Sequence, residues 1–163
     1  MVKRCFFICC LLLFAAASCN QPVATSEFKE LSLSEGWVHS VTFHLQLTDT
    51  IHSQEITISA RFINNQEMNQ YHNIPLIVRL ISPSNNKYAD TLVLPLRVIN
   101  NKINDGNGIS TISWPYRKGI QNKEPGNWQI ILVPNGQTGE NTIYQNITGL
   151  GILCIKETKR HER

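Results

Sequence analysis

Cysteine is the residue type in this chain with the widest chemistry, because its thiolate can attack electrophiles, bind metal or pair in a disulfide. The five cysteines are unevenly placed. Four of them, Cys5, Cys9, Cys10 and Cys19, fall in the first nineteen residues, and only Cys154 lies farther along. The chemistry open to the cysteines therefore depends on whether the first nineteen residues stay with the folded protein.

The N-terminal segment has the order of an export signal. Lys3 and Arg4 precede an apolar run over 6–17, which is shorter than the roughly 20 residues that a membrane-spanning helix needs. The run ends in Ala-Ala-Ser-Cys, which resembles the lipobox of bacterial lipoproteins, where a peptidase cleaves before a cysteine whose thiol is diacylated. We therefore predict a lipoprotein signal peptide over 1–18 and lipidation of Cys19. An ordinary secretory signal, in which the cysteine is incidental, is the alternative.

Cleavage would leave two cysteines with separate roles. Cys19 would be consumed by acylation, and Cys154, in an aliphatic run over 150–155, is expected to be a small buried hydrophobic residue. The mature chain could then form no internal disulfide. Loss of Lys3 and Arg4 would also lower the formal net charge from +3 to +1, and we predict no nucleic-acid partner.

The histidines and carboxylates form no recognisable catalytic or metal-binding pattern. His39 and His44 are five residues apart near a predicted strand, so their side chains would point to opposite faces. The turn over 104–108 lacks the spaced acidic ligands of a calcium loop, and no phosphate loop, nucleophile elbow or zinc-protease motif occurs. We predict a protein that is not an enzyme and that uses no metal and no cofactor. An envelope hydrolase with its carboxylates gathered in one cleft is an alternative, and its candidate residues are Asp49, Asp90 and Asp105.

Aromatic side chains near predicted loops are the remaining candidates for a binding site. The three candidates are Trp37, Trp114 and Tyr116. On one exposed surface they could form a platform on which sugar rings stack, so a glycan- or peptidoglycan-binding module is the second functional hypothesis. The alternative for the same side chains is packing in the core and at its rim.

The elements that must position these residues are strands. Apolar and polar residues alternate with a period of two, or run as short apolar stretches, in several segments. These segments are 41–47, 56–62, 76–80, 92–98, 128–133 and 150–156, with 109–114 as a weaker candidate. Pro95 indicates that its strand lies at a sheet edge or carries a bulge. No stretch of ten residues keeps a helical period.

Clusters of Asn, Asp, Gly, Pro and Ser separate these segments and are typical of turns. About seven or eight strands punctuated in this way predict an all-β fold. We expect an antiparallel β-sandwich with immunoglobulin-like or jelly-roll wiring, and a closed small barrel is the alternative. The predicted organisation is a signal peptide over 1–18, a lipidated cysteine and tether over 19–27, the β-sandwich over 28–157 and a charged tail over 158–163.

Short motifs spread over most of the chain carry a family resemblance through their order and spacing. They are the lipobox Cys19, Trp37, Asp49-Thr50, Arg61, Tyr71-His72-Asn73-Ile74, Pro83, Asp90-Thr91-Leu92, Gly106 and Gly108, Gly126-Asn127-Trp128 and Gly149-Leu150-Gly151-Ile152. Together, from Trp37 to Lys156, they resemble the gliding-motility lipoproteins of the GldH family of Bacteroidetes. Two positions depart from the family pattern. Asn107 stands where the family commonly has tryptophan, and Val133-Pro134-Asn135 stands where it has a Gln-Met-Arg-like segment.

The resemblance implies a place in the cell envelope and an association with a gliding or related secretion apparatus, and it brings no catalytic residues. We therefore predict an accessory or assembly component whose partners are the membrane, through acyl chains, and other envelope or motility-apparatus proteins. Asn20 favours outer-membrane delivery, because inner-membrane retention in many bacteria favours aspartate after the acylated cysteine. Surface-exposed lipoproteins of Bacteroidetes usually carry an acidic cluster there. Since Glu27 alone is near, we predict a position facing the periplasm.

Overall fold

The structure is a computed structural model, and it describes residues 24–63, 72–96, 108–136 and 144–157. It contains eight strands: β1 Thr25–Glu30, β2 Val41–Leu47, β3 Ser53–Ile63, β4 Asn73–Ile81, β5 Lys87–Pro95, β6 Ile109–Gln121, β7 Gly126–Pro134 and β8 Ile147–Lys156. Every strand pairing is antiparallel. The predicted all-β class is confirmed. No helix in the described ranges is long and apolar enough to cross a bilayer.

The strands form two four-stranded sheets, in the orders β1-β8-β3-β6 and β2-β7-β4-β5. Among the described strands, β4 and β5 are the only neighbours in sequence that also pair with each other, because every other connection passes from one sheet to the other. This is the strand order of a jelly roll, in which the chain winds around the sandwich as a folded double ribbon. Of the two wirings that the sequence leaves open, the structure therefore adopts the jelly roll. Pro95 ends β5, which is an edge strand as the proline indicates.

The core lies between the two sheets and follows the period of two. In β3 the even-numbered residues from Gln54 to Phe62 are buried, and in β2 the odd-numbered residues from Phe43 to Leu47 are buried. Side chains at i and i+2 of a strand share one face, so each sheet presents one apolar surface to the other. The outward positions of both strands are polar or partly exposed. Burial of apolar side chains between the sheets is therefore the main stabilising term.

The two ends of the sandwich differ in their connections. At one end, which we call the turn end, the connections over 48–52, 82–86 and 122–125 are four or five residues long. At the other end, the loop end, the connections are nine to thirteen residues long and cover 31–40, 64–72, 96–108 and 135–146. Strand β1 starts at the turn end and β8 finishes there, so both ends of the described chain meet at the turn end.

Strand β1 is not among the strands predicted from the sequence. It begins at Thr25, inside the range 19–27 that we assigned to the tether, and it pairs along its whole length with β8. The sequence Thr-Ser-Glu-Phe-Lys-Glu has polar residues on its more buried side, so the usual apolar alternation is missing. Strand β1 therefore starts three residues before Phe28, the predicted start of the sandwich.

Candidate functional site

Trp37 is part of the core. Its side chain is 2% exposed and lies edge-on to Tyr144, with 5.5 Å between ring centroids. The backbone N–H of Trp37 donates a hydrogen bond to the Tyr144 carbonyl over 2.8 Å. The buried indole N–H meets no acceptor among the residues that the structure describes. This aromatic pair closes the sandwich at the loop end.

Trp114 and Tyr116 project from β6 toward β5, the edge strand of the other sheet. The indole of Trp114 is 7% exposed and donates a hydrogen bond from Nε1 to the Pro95 carbonyl over 2.9 Å. Tyr116 is partly buried, and its hydroxyl donates to the Asp90 carboxylate. With Trp37 and Trp114 buried, the three aromatic candidates do not form an exposed platform. Their rings pack in the core and at its rim because the jelly roll turns both tryptophans inward.

Asp90, Tyr116 and Arg117 form a polar clamp between the β5 and β6 edges. Arg117 Nη2 lies 2.6 Å from Asp90 Oδ2, and the Tyr116 hydroxyl bonds to the same oxygen. The hydrogen bond from Arg117, and then that from Tyr116, lowers the pKa of Asp90 below its ordinary value. Burial, reinforced by the Asp90 charge, raises the pKa of Tyr116 to about 12. All three groups are thus held in fixed protonation states near neutral pH, which suits a structural link between the sheets.

Asp49 organises the turn over 48–52. Its carboxylate accepts hydrogen bonds from the backbone N–H groups of Ile51 and His52, each over 3.0 Å, and lies 2.8 Å from His52 Nδ1. These bonds, with the His52 N–H first, lower the pKa of Asp49 to about 2. Asp49 and Asp90 each have their own neighbours, and Asp105 lies outside the described residues. Within the described part of the chain, no three His, Cys, Asp or Glu side chains are grouped to hold a metal ion.

Several residues of the family motifs meet on the outer face of β8. The guanidinium of Arg61 lies over the ring of Phe28 at 4.5 Å from its centroid and pairs with Glu30. A Cβ added to Gly149 would lie 2.5 Å from the Phe28 ring, and a Cβ added to Gly151 would lie 2.7 Å from it. The two glycines therefore leave the space in which the Phe28 ring lies flat against the sheet. These motif residues therefore help to hold β1 against β8 and β3.

Cys154 is buried, as expected for a small hydrophobic residue. Its thiol lies 3.4 Å from Gln54 Oε1, and burial raises its pKa to about 11. A thiol with a raised pKa is a poor nucleophile at neutral pH. Cys154 therefore contributes packing. Cys19, the predicted lipidation site, lies outside the described residues.

A pocket of about 330 Å³ lies between the sheets at the turn end, and we call it the interlayer pocket. Its volume is at the lower end of the range of small-ligand sites. Its walls are mainly apolar and its mouth is polar. The wall includes Leu47, Ile56, Leu80, Ile120, Trp128 and Ile130, and the exposed residues at the mouth are Tyr88, Arg117, Gln121 and Lys123.

Sequence reasoning did not identify the interlayer pocket. Its lining comes from six strands and one turn, and each wall residue occupies an ordinary inward position of its own strand. The one local signal is Asn122-Lys123-Glu124 directly after β6, where polar residues follow apolar Ile120. Nothing in that signal distinguishes a pocket mouth from a surface turn.

Comparison with known proteins gives one family and several distant structural likenesses. The family model for GldH lipoproteins matches residues 25–153. No curated protein matches the chain at a significant level. Three solved structures are similar at low identity. A protein from Sulfurospirillum deleyianum is 10% identical, with 82% of this chain and 98% of that chain covered and a TM-score of 0.38.

The second is dimeric latent PorU from Porphyromonas gingivalis, 12% identical, with 86% of this chain and 14% of that chain covered and a TM-score of 0.32. The third is FLHE, 11% identical, with 85% of this chain and 100% of that chain covered and a TM-score of 0.31. These likenesses are too distant to bear on activity. The family match starts with β1, ends within β8 and covers most of the chain, which agrees with the motif order found in the sequence. The chain therefore belongs to the GldH lipoprotein family.

Proposed function

We propose that this chain is a lipid-anchored, non-enzymatic component of a gliding-motility or related secretion apparatus. Acylated Cys19 would hold it at the periplasmic side of the outer membrane. The family match over residues 25–153 carries the proposal, because it associates the chain with gliding-motility lipoproteins. Two acyl chains or more give stable anchoring, since each buried CH₂ contributes about 0.8 kcal/mol. In this role the domain acts by surface complementarity with other envelope proteins.

The orientation of the domain follows from where β1 starts. Thr25 is six residues after Cys19, and six residues reach at most about 20 Å at 3.3–3.6 Å per residue. An anchor at Cys19 would therefore keep the turn end close to the membrane. The loop end would point away from the bilayer and toward partner proteins in the periplasm.

Exposed apolar side chains at the loop end support a partner surface there. Leu33 is 72% exposed in the 31–40 connection, and Ile109 is 70% exposed at the start of β6. Val38 and Val93, also toward the loop end, are about half exposed. Contacts at connections carried by a rigid scaffold are a common way to present a binding surface.

The anchor is tested with Cys19→Ala. The wild-type chain should be labelled by a fatty-acid probe and should sediment with the outer membrane. The variant should lose the label and appear in the soluble periplasmic fraction. A variant that still carries the label would contradict lipidation at Cys19.

The partner surface is tested by crosslinking in the native envelope, followed by purification of this chain. We expect Leu33→Glu together with Ile109→Glu to remove most of the crosslinked motility-apparatus protein. The matched control is Ile51→Glu, because Ile51 is 77% exposed but lies at the turn end. Equal loss of partner in both proteins, or a wild-type chain that is repeatedly recovered alone, would contradict the proposal.

A further inference from the structure

The interlayer pocket has the composition of a site for a hydrocarbon chain. Its deepest walls are Leu47, Ile56 and Ile130, which are nearly fully buried, and the partly buried Leu80, Ile120 and Trp128 continue them toward the mouth. The indole N–H of Trp128 donates to the Glu124 carbonyl over 2.9 Å, so the polar group of this wall residue is already satisfied. The pocket therefore offers mainly dispersion and burial of apolar surface to an occupant.

The mouth of the pocket carries one cation that is in no ion pair with a described residue. Arg117 pairs with Asp90, and the carboxylate of Glu124 accepts a hydrogen bond from Ser84 Oγ over 2.8 Å. Lys123, by contrast, is exposed and forms no ion pair with any described residue. One cationic side chain at the opening is thus available to a phosphate.

The pocket also lies at the end of the domain that a short tether would hold near a bilayer. Thr25 pairs with Cys154, whose thiol contacts Gln54, and Gln54 lines the pocket. The start of β1 and the pocket are thus linked through two side chains at the turn end. This step rests on the anchoring at Cys19 that we propose above.

We infer that the interlayer pocket takes one acyl chain of an anionic bilayer phospholipid, with the phosphate at Lys123. The acyl chain enters between the β5 and β6 edges and lies along Leu80, Ile120 and Trp128. A lipid held in this way fixes the orientation of the domain on the membrane, which the acylated cysteine alone leaves free to rotate. The loop end is then presented to its partner in one direction.

The test uses the mature chain, which starts at acylated Cys19, reconstituted in vesicles of phosphatidylethanolamine and phosphatidylglycerol. A small fraction of the phosphatidylglycerol carries a diazirine near the end of one acyl chain. After irradiation, crosslinked peptides are mapped by mass spectrometry. We expect crosslinks on the segments that contain Leu80, Ile120 and Trp128. Crosslinks confined to residues before Thr25 would overturn the inference.

Two variants make the test specific. Ile120→Trp fills the pocket and should reduce the pocket crosslinks about tenfold. Ile112→Trp is the matched control, because Ile112 is partly buried on the same strand but does not line the pocket. Lys123→Glu changes only an exposed side chain, so folding is preserved, and it should reduce crosslinking of phosphatidylglycerol several-fold but of a phosphatidylethanolamine probe less. Unchanged crosslinking in Ile120→Trp and Lys123→Glu would overturn the inference.

Flotation of the same vesicles separates this inference from the proposed function. A chain that floats with the vesicles but gives no pocket crosslinks is anchored without using the pocket, so the inference alone fails. A chain that does not float contradicts the anchor and, with it, the bilayer as the source of the acyl chain. The vesicles hold no other envelope protein, so the result does not depend on a partner.

Discussion

The turn end and the loop end of the sandwich are closed by different physical means. At the turn end, side-chain hydrogen bonds tie the short connections, and the interlayer pocket remains open beside them. The Asp49 carboxylate accepts from the His52 N–H, and the Asn122 amide donates to the Leu47 carbonyl. At the loop end, the buried rings of Trp37 and Tyr144 fill the space between the sheets. Buried aromatic packing contributes more free energy than a single side-chain hydrogen bond does. Substitutions at the loop end should therefore destabilise the protein more than substitutions at the turn end.

The largest effect is expected for Trp37→Ala. Removal of a fully buried indole should lower the free energy of unfolding by about 3–5 kcal/mol, because apolar burial is lost and a cavity forms beside Tyr144. Urea unfolding followed by circular dichroism measures the loss. Trp37→Phe keeps a ring in place and removes an N–H that lacks a described acceptor, so its cost should be clearly smaller. Equal costs for the two variants would contradict the packing role.

A pair of glycines compares the two ends at matched backbone geometry. Gly36 at the loop end has φ +66°, and Gly119 in the turn-end half of β6 has φ +67°. A Cβ at Gly36 would lie 2.4 Å from the Gln145 Cα, whereas one at Gly119 would meet nothing within 4 Å. Gly119→Ala should cost about 1 kcal/mol for the left-handed backbone alone, and Gly36→Ala more than about 2 kcal/mol. Thermal unfolding of both variants tests this, and similar melting temperatures would contradict it.

Tyr116→Phe probes the clamp that closes the β5–β6 edge between the two ends. Loss of its hydrogen bond to Asp90 should cost about 1 kcal/mol, since Arg117 still pairs with that carboxylate. The pKa of Tyr116 is raised from 10.0 to about 12. Its contribution is therefore complete below pH 10 and is lost as the pH rises toward 12. Unfolding measured across this range should show a weaker alkaline decline in the variant, and an equal decline in both proteins would contradict the role of the clamp.

The smallest effect is expected for Asp49→Ala at the turn end. The pKa of Asp49 is lowered from 3.8 to about 2, so its contribution is present above pH 3.8 and is lost as the pH falls toward 2. The carboxylate is exposed to solvent, so the melting temperature at neutral pH should fall only slightly. Acid titration followed by circular dichroism should show a flatter decline between pH 3.8 and 2 for the variant. A loss as large as that of Trp37→Ala would reverse the comparison between the two ends.

Local sequence patterns predicted much of the sheet structure. Strands β2, β3 and β7 carry alternating or continuous apolar residues, and a strand has the same period wherever it lies in the fold. Pro95 indicated an edge because proline cannot donate a hydrogen bond to a neighbouring strand. The isolated Cys154 in an aliphatic run indicated a buried thiol, and the structure confirms it.

Local sequence patterns neither predicted strand β1 nor decided whether the aromatic candidates are buried. The pairing of Thr25 with Cys154 joins residues at opposite ends of the described chain, and no local signal reports such a contact. Trp37 lies in the 31–40 connection and Trp114 lies in the middle of β6, and the burial of each depends on which sheet faces it. The need for glycine at Gly149 and Gly151 is likewise explained only by the Phe28 ring, which packs against both residues.

The sequence by itself determined the strand periodicity of the alternating segments and the resemblance to the GldH lipoproteins, because these are properties of short segments and of their order. Only the tertiary structure decided between jelly-roll and immunoglobulin-like wiring, placed both ends of the described chain at the turn end and opened the interlayer pocket beside them. The physical reason is that pairing and pocket formation are contacts between residues far apart in the chain. Their free energy depends on all the strands being assembled at once.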